Sequence, residues 1–241
     1  MKTNNESNTL NQIRSILRNS ISIPPERAAA FFKTGKGHYA EGDKFMGVTV
    51  PSLRKITKAF IPLPLMDIQN LISSKINEER LLALLMLVAQ YEKAGSREKE
   101  EIYQFYVTHL QYVNNWNLVD ASAHRIIGAH LWDKDRDFLF VLANAENLWE
   151  RRIAVVSTWY FIRKNDLEWT FKIAKFLLRD THDLIHKAVG WMLREAGKQD
   201  QEELIKFLNQ YAEEMPRTML RYSLEKFAES TRKNYLLNRK P

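Results

Sequence analysis

Apolar residues recur at helical spacing along most of the chain. Ile13, Ile16 and Leu17 share one face of a segment that predicts a first helix from Leu10 to about Asn19, and residues 1–9 before it are polar and read as a flexible tail. Pro24-Pro25 suits the opening of a second helix, with Ser22 as a candidate cap, and that helix runs on through Ala28-Ala29-Ala30-Phe31-Phe32. The stretch from Lys33 to Asp43 holds Gly35, Gly37 and Gly42 and predicts a loop, but no Gly-Lys-Ser/Thr ends it, so it is not a Walker phosphate loop. Pro51 then opens a helix carrying Leu53, Ile56 and Phe60. Beyond it the pattern reads as helix after helix. Similar pieces recur, each read as the beginning of an apolar helix with a small residue: Arg80-Leu81-Leu82-Ala83, Val119-Asp120-Ala121, Arg152-Ile153-Ala154, His186-Lys187-Ala188 and Arg221-Tyr222-Ser223. The small residues are spaced by 38, 33, 34 and 35, a period that two helices and short turns fill, and they are suited to close helix approach. The near-constant spacing argues for an all-α solenoid over a chance scatter of small residues. No linker divides the chain, so residues 1–241 read as one domain.

Composition supports the helical reading. No proline lies between Leu65 and Met215, and four of the 8 glycines fall between Gly35 and Gly47, which leaves a middle poor in helix breakers. β-Sandwiches and barrels need frequent turn residues and are largely excluded. The absence of cysteine excludes disulfides, thiolate metal sites, thiol nucleophiles and iron–sulfur clusters. The longest apolar run, Leu81 to Ala89, falls well short of the about 18 residues of a membrane span. Met1 to Ser7 lacks an apolar signal-peptide core, which points to the cytoplasm. A formal net charge of +7 favours a polyanionic partner, nucleic acid or acidic lipid, and is equally compatible with a solvated basic surface.

Candidate chemistry concentrates in the proline-free stretch, which holds all 6 tryptophans, at 116, 132, 149, 159, 169 and 191. Trp116 and Asp120 are one helical turn apart and share a face. Taken singly, each Trp reads best as core packing, and Asp120 reads equally as a cap or an ion-pair partner. His182 and His186 have a spacing that metals use, but with no third ligand nearby they read as a residue near a helix start and a residue facing DNA or solvent. Lys33, Lys36, His38 and Lys44 give the Gly-rich loop the means to touch phosphates, or simply to be solvated.

Several longer segments together resemble one family. They are Phe31-Phe32-Lys33-Thr34-Gly35, residues 42–51 (GDKFMGVTVP), residues 115–120 (NWNLVD), residues 148–154 (LWERRIA), residues 186–195 (HKAVGWMLRE) and residues 215–222 (MPRTMLRY). In this order, and over about residues 25–230, they resemble the AlkD-like DNA alkylation repair family. The resemblance implies a HEAT-like solenoid, a curved superhelix of antiparallel helix pairs that holds duplex DNA in its concave face. It further implies a DNA glycosylase acting on bases alkylated at purine ring nitrogens. A monomer is expected, with no metal, organic cofactor or membrane involved. Asp120 then resembles the catalytic carboxylate, Trp116 an aromatic beside the lesion, Arg152 the arginine of the catalytic cleft and Trp191 its second aromatic. Arg151, Lys187, Arg194, Arg221 and the loop residues Lys33, Lys36 and Lys44 are expected on the DNA. One departure is visible: Asn117 stands where many relatives carry an acidic residue.

The chemistry suits these residue types. A purine alkylated at N3 or N7 is cationic and already a good leaving group. A carboxylate near C1′ stabilises the positive charge that grows on the sugar and can orient or deprotonate the attacking water. Indole faces attract a cationic base, and an arginine can hold a backbone phosphate. Whether the base is flipped is open at this level. Two other classes stay in view, a non-catalytic binder of branched or distorted DNA and a protein–protein solenoid. The first has little need of a carboxylate facing phosphates, and the second leaves the basic excess unexplained.

Overall fold

The structure, a computed structural model, describes residues 8–237. Of the tail expected at residues 1–9, residues 1–7 lie outside the described residues, whereas Asn8 and Thr9 belong to the first helix. Every regular element among the described residues is helical, and the only β pairings there are two isolated bridges, Ile21 with Val48 and Lys44 with Ile76. The chain folds as two compact units that divide between Ser122 and Ala123.

In the first unit, α1 (Asn8–Asn19) buries Leu10, Ile13 and Leu17. Helix α2 (Pro25–Phe31) starts where the Pro-Pro pair indicates, but Ser22 is not its cap. Pro24 holds the cap position, and the Ser22 amide instead donates to the Gly47 carbonyl at 3.0 Å, which ties this stretch to the return of the Gly-rich loop. Gly47 is required there: at φ 89° a Cβ would stand 1.8 Å from the Ile23 carbonyl oxygen. Helix α3 (Val50–Phe60) carries Pro51 in its first turn and buries Leu53 and Ile56. Helices α4 (Leu65–Ile72), α5 (Asn77–Tyr91), α6 (Ser96–Thr108) and α7 (Trp116–Ala123) follow, with a 3-10 turn at Leu110–Tyr112. Residues Leu81–Val88 of α5 are all buried, as a helix apolar on every side must be, and α3, α4 and α6 pack around it. Each such Leu or Ile contributes about 2 kcal/mol by leaving water.

The second unit opens with a π-helical turn, His124–Gly128, and continues through α8 (Phe138–Ala143), α9 (Leu148–Ser157), α10 (Trp159–Ile162), α11 (Glu168–Phe176), α12 (Asp183–Gln199), α13 (Gln201–Tyr211), α14 (Arg217–Ser223) and α15 (Glu229–Leu237). One row runs from the π turn through α9 and α12 to α14; α8 and α11 pack beside it, and Phe171 of α11 meets Phe207 of α13 at 5.3 Å. Rows of neighbouring helices are the packing of an α-solenoid, as expected. Side chains cap the entry of three helices: Asn147 for α9, His182 for α12 and Asp200 for α13.

The recurring small residues have a different part from the one their spacing implies. Ala83, Ala154, Ala188 and Ser223 are buried but lie inside or at the end of their helices rather than at the start, and Ala121 is only half-buried. The closest backbone approaches fall to glycines: a Cβ on Gly128 would lie 2.2 Å from the Ser157 carbonyl oxygen, and one on Gly190 would lie 2.5 Å from that of Met219. An exposed helical Gly→Ala change stabilises by about 1 kcal/mol. Gly190→Ala is expected to do the reverse and cost about 1–3 kcal/mol, because α12 and α14 must move apart. The midpoint of urea unfolding measures the sign.

Candidate functional site

Three buried polar side chains of the first unit, Asn77, Arg80 and Asn115, converge on Asp43, at the end of the Gly-rich loop. Its carboxylate pairs with the Arg80 guanidinium and accepts from the side-chain amides of Asn77 and Asn115, both at 2.9 Å. Asn77 and Arg80 lie in the first turn of α5, and Asn115 immediately precedes α7. Glu78, from the same turn of α5, receives the amides of Met46, Gly47 and Val48 at 2.9, 2.8 and 3.3 Å. One helix start thus anchors the C-terminal end of the Gly-rich segment, and acidic residues there are also favoured by the helix dipole. Asn117 belongs to the same network, donating to the Asn77 side-chain oxygen at 2.7 Å.

Helix α7 is held near its other end too. Buried Ser122 donates to the Leu118 carbonyl at 2.7 Å, so Tyr106, fully buried on α6, donates its hydroxyl to Ser122 at 2.8 Å. Between these anchors α7 carries Trp116 and, one turn on, Asp120, both half-buried. Trp116 stacks on Phe32 at 5.1 Å, Phe32 stacks on Phe45 at 4.4 Å, and exposed Phe31 meets the Trp116 ring edge-on at 6.0 Å. The aromatic residues of α2 and of the loop therefore continue the face that Trp116 begins. Lys33, Lys36 and Lys44 are exposed on this loop, and Lys33 takes a left-handed φ of 54° just past α2.

In the second unit Arg152 is buried on α9 and donates to the Leu184 carbonyl of α12 at 2.7 Å. Arg151 is built into the fold: it pairs with Asp180 at 2.6 Å and donates to the carbonyls of Ala145 and Glu146. Lys187 pairs with Asp183 at 2.7 Å, Arg194 pairs with Glu195 and Glu225, and Arg221 is exposed beside the Tyr222 ring. Half-buried Trp191 meets Trp159 at 5.0 Å, and Trp159 meets the ring of His124 at 4.6 Å. His124 is buried in the π turn with its Nδ1 unpartnered, and burial, reinforced by Arg125 and Arg163, pushes its imidazole down to about 4. The remaining tryptophans serve packing: Trp149 is buried, Arg136 lies over Trp132 at 5.3 Å, and Lys172 lies over Trp169 at 5.0 Å.

His182 caps α12 by accepting the Leu184 amide at 3.1 Å, and half-buried His186 donates to the Asp180 carbonyl. Among the described residues no group of three or more His, Asp or Glu stands together to hold a metal, and no helix is long and apolar enough to cross a membrane. The chain brings Trp116 together with Phe31, Phe32 and Phe45, and Trp191 with Trp159 and His124. None of these partners, nor Asp43, Asn77 and Arg80, draws a role from local spacing.

An all-α solenoid bearing an aromatic and carboxylate face is the class these features define. The chain belongs to the DNA alkylation repair enzyme family, whose model matches residues 21–227, and this gives it a part in DNA repair. Its fold is similar to that of a solved structure described as a predicted DNA alkylation repair enzyme from Enterococcus faecalis, with a TM-score of 0.66 and 16% sequence identity over 85% of this chain and 95% of that one. No curated protein matches the chain.

His124 makes acid stability a test of the second unit. The folded imidazole titrates near 4, below its ordinary value, so the unfolded chain takes up the proton first. The contribution, on the order of 3 kcal/mol, is complete above about pH 6.5 and is lost as pH falls through the folded value. The change His124→Phe is expected to flatten the acid limb of the stability curve between those values in urea titrations.

Proposed function

We propose that the chain is a DNA glycosylase that hydrolyses the N-glycosidic bond of cationic N3- or N7-alkylated purines in duplex DNA. The observation that carries this reading is α7: Trp116 and Asp120 share one face of a helix tied at both ends to neighbouring elements by hydrogen bonds, in a chain of the DNA alkylation repair family. A carboxylate held on a rigid element, one turn from Trp116, suits a reaction in which positive charge develops on a sugar within a polyanion.

In this mechanism the C1′–N bond lengthens and its electron pair neutralises the cationic purine, which leaves as the free base. Asp120 stabilises the oxocarbenium-like sugar and orients the water whose oxygen bonds to C1′; the water's proton passes to the carboxylate or to solvent, leaving an abasic site. Trp116 offers its face to the cationic base or to the polarised C–H bonds of the sugar. Within the second unit, Trp191 is assigned as an aromatic surface, and Arg152, buried and bonded to the Leu184 carbonyl, meets a backbone phosphate only by giving up part of its present bonding. Lys33, Lys36, Lys44 and Arg221, all exposed, supply charge for the DNA backbone, and Arg151, Lys187 and Arg194 act there only through their existing pairs. A monomer in the cytoplasm suffices for this chemistry.

Two outcomes follow. The variant Asp120→Asn is expected to lose release of 7-methylguanine from methylated duplex DNA, by about 100-fold or more, while duplex affinity survives. Unchanged release in that variant contradicts the mechanism. Duplex affinity should fall with salt, with a log–log slope of about −0.9 for each phosphate contact, and a flat dependence contradicts the DNA-binding face.

A further inference from the structure

The proposed reaction makes no use of Asp43, yet this carboxylate is buried and dictates the orientation of three asparagines. A carboxylate paired with a guanidinium only accepts hydrogen bonds. Asn77 must therefore turn its Nδ2 toward Asp43, at 2.9 Å, and its Oδ1 away. That Oδ1 then demands a donor, and Asn117 supplies its Nδ2 at 2.7 Å; the return contact from Asn77 Nδ2 to Asn117 Oδ1 is long, at 3.5 Å. Asn115 likewise spends its Nδ2 on Asp43, which leaves its Oδ1 to receive the Trp116 amide at 2.8 Å. The direction of every bond is set at one end. Two of the three asparagines lie at the start of α7, one just before it and one in its first turn.

We propose that Asp43 is a positioning residue for α7: through Asn77, Asn115 and Asn117 it fixes the rotation of the helix and hence the place of the Asp120 carboxylate. The assignment rests on the glycosylase reading for its effect on catalysis, and on the hydrogen-bond chain alone for its effect on α7. It also accounts for the amide at position 117. A carboxylate there would face the Asn77 Oδ1, acceptor against acceptor, and turning Asn77 to relieve this would take its donor away from Asp43.

The test uses Asp43→Asn, Asn117→Asp and the double variant Asp43→Asn/Asn117→Asp in the full chain. Three quantities are read: amide hydrogen exchange at Trp116–Val119, the single-turnover rate of 7-methylguanine release, and Kd for duplex DNA. Asn117→Asp is expected to speed exchange in the first turn of α7 and slow release about tenfold or more, with Kd within about threefold of wild type. Asn77 and Asn115 both donate to Oδ2 of Asp43, so Asp43→Asn cannot keep both bonds without turning both amides over, and it breaks the chain at its origin. Asp43→Asn alone is therefore expected to speed exchange in the first turn of α7 and slow release as Asn117→Asp does, and the double variant is expected to be little worse than either single variant. Fully additive losses of exchange protection and rate, the outcome of independent stability effects, overturn the proposal. Asn117→Ala breaks the link without adding charge and keeps the test decisive should the double variant not fold; unchanged exchange there also overturns it. If wild type frees no base, the glycosylase reading falls, and the exchange pattern alone decides whether Asp43 positions α7.

Discussion

A buried carboxylate must find donors, and in the first unit the donors that Asp43 finds come from separate elements. Arg80 and Asn77 reach it from the start of α5, and Asn115 reaches it from the approach to α7. The cost of desolvating the charge is met only when all of these are in place, so the Gly-rich loop, α5 and α7 are fixed together. Glu78 closes the same arrangement by gathering the amides of Met46, Gly47 and Val48. The face formed by Phe31, Phe32, Phe45 and Trp116 depends on this, because its rings come from α2 and the residue that ends it, from the loop and from α7.

The second unit is governed by close packing instead. Gly128 and Gly190 let helices meet at backbone distance, and the aromatic run from His124 through Trp159 to Trp191 links the π turn to α12 by way of α10. Many of its charged side chains are spent within the fold. Arg151 and Arg136 are each tied to a carboxylate and to backbone carbonyls, so a basic composition translates into fewer free cations than its count suggests.

Much of the helical fold is legible in the sequence, because the features that reveal it are local. Pro25 and Pro51 mark helix starts, the Gly-rich segment is a loop, and the face shared by Trp116 and Asp120 follows from one turn of helix. Ser22 misleads because its amide is claimed by Gly47, a partner no local pattern identifies. Ala121 misleads because spacing alone does not separate a buried small residue from a half-exposed one. The asparagine network escapes sequence reasoning for the same physical reason: its partners stand 34, 40 and 72 positions apart. His124, between Ala123 and Arg125, carries no mark in the sequence of its burial or of the π turn around it.

The proposed reaction breaks the bond between a cationic alkylated purine and its sugar. Chromatographic identification of the bases freed from methylated duplex DNA by the purified protein tests it most directly. The predicted result is free 3-methyladenine or 7-methylguanine with an equal number of abasic sites, while neutral O6-methylguanine stays in the DNA. Full retention of the cationic bases, or release of neutral and cationic lesions alike, would contradict it.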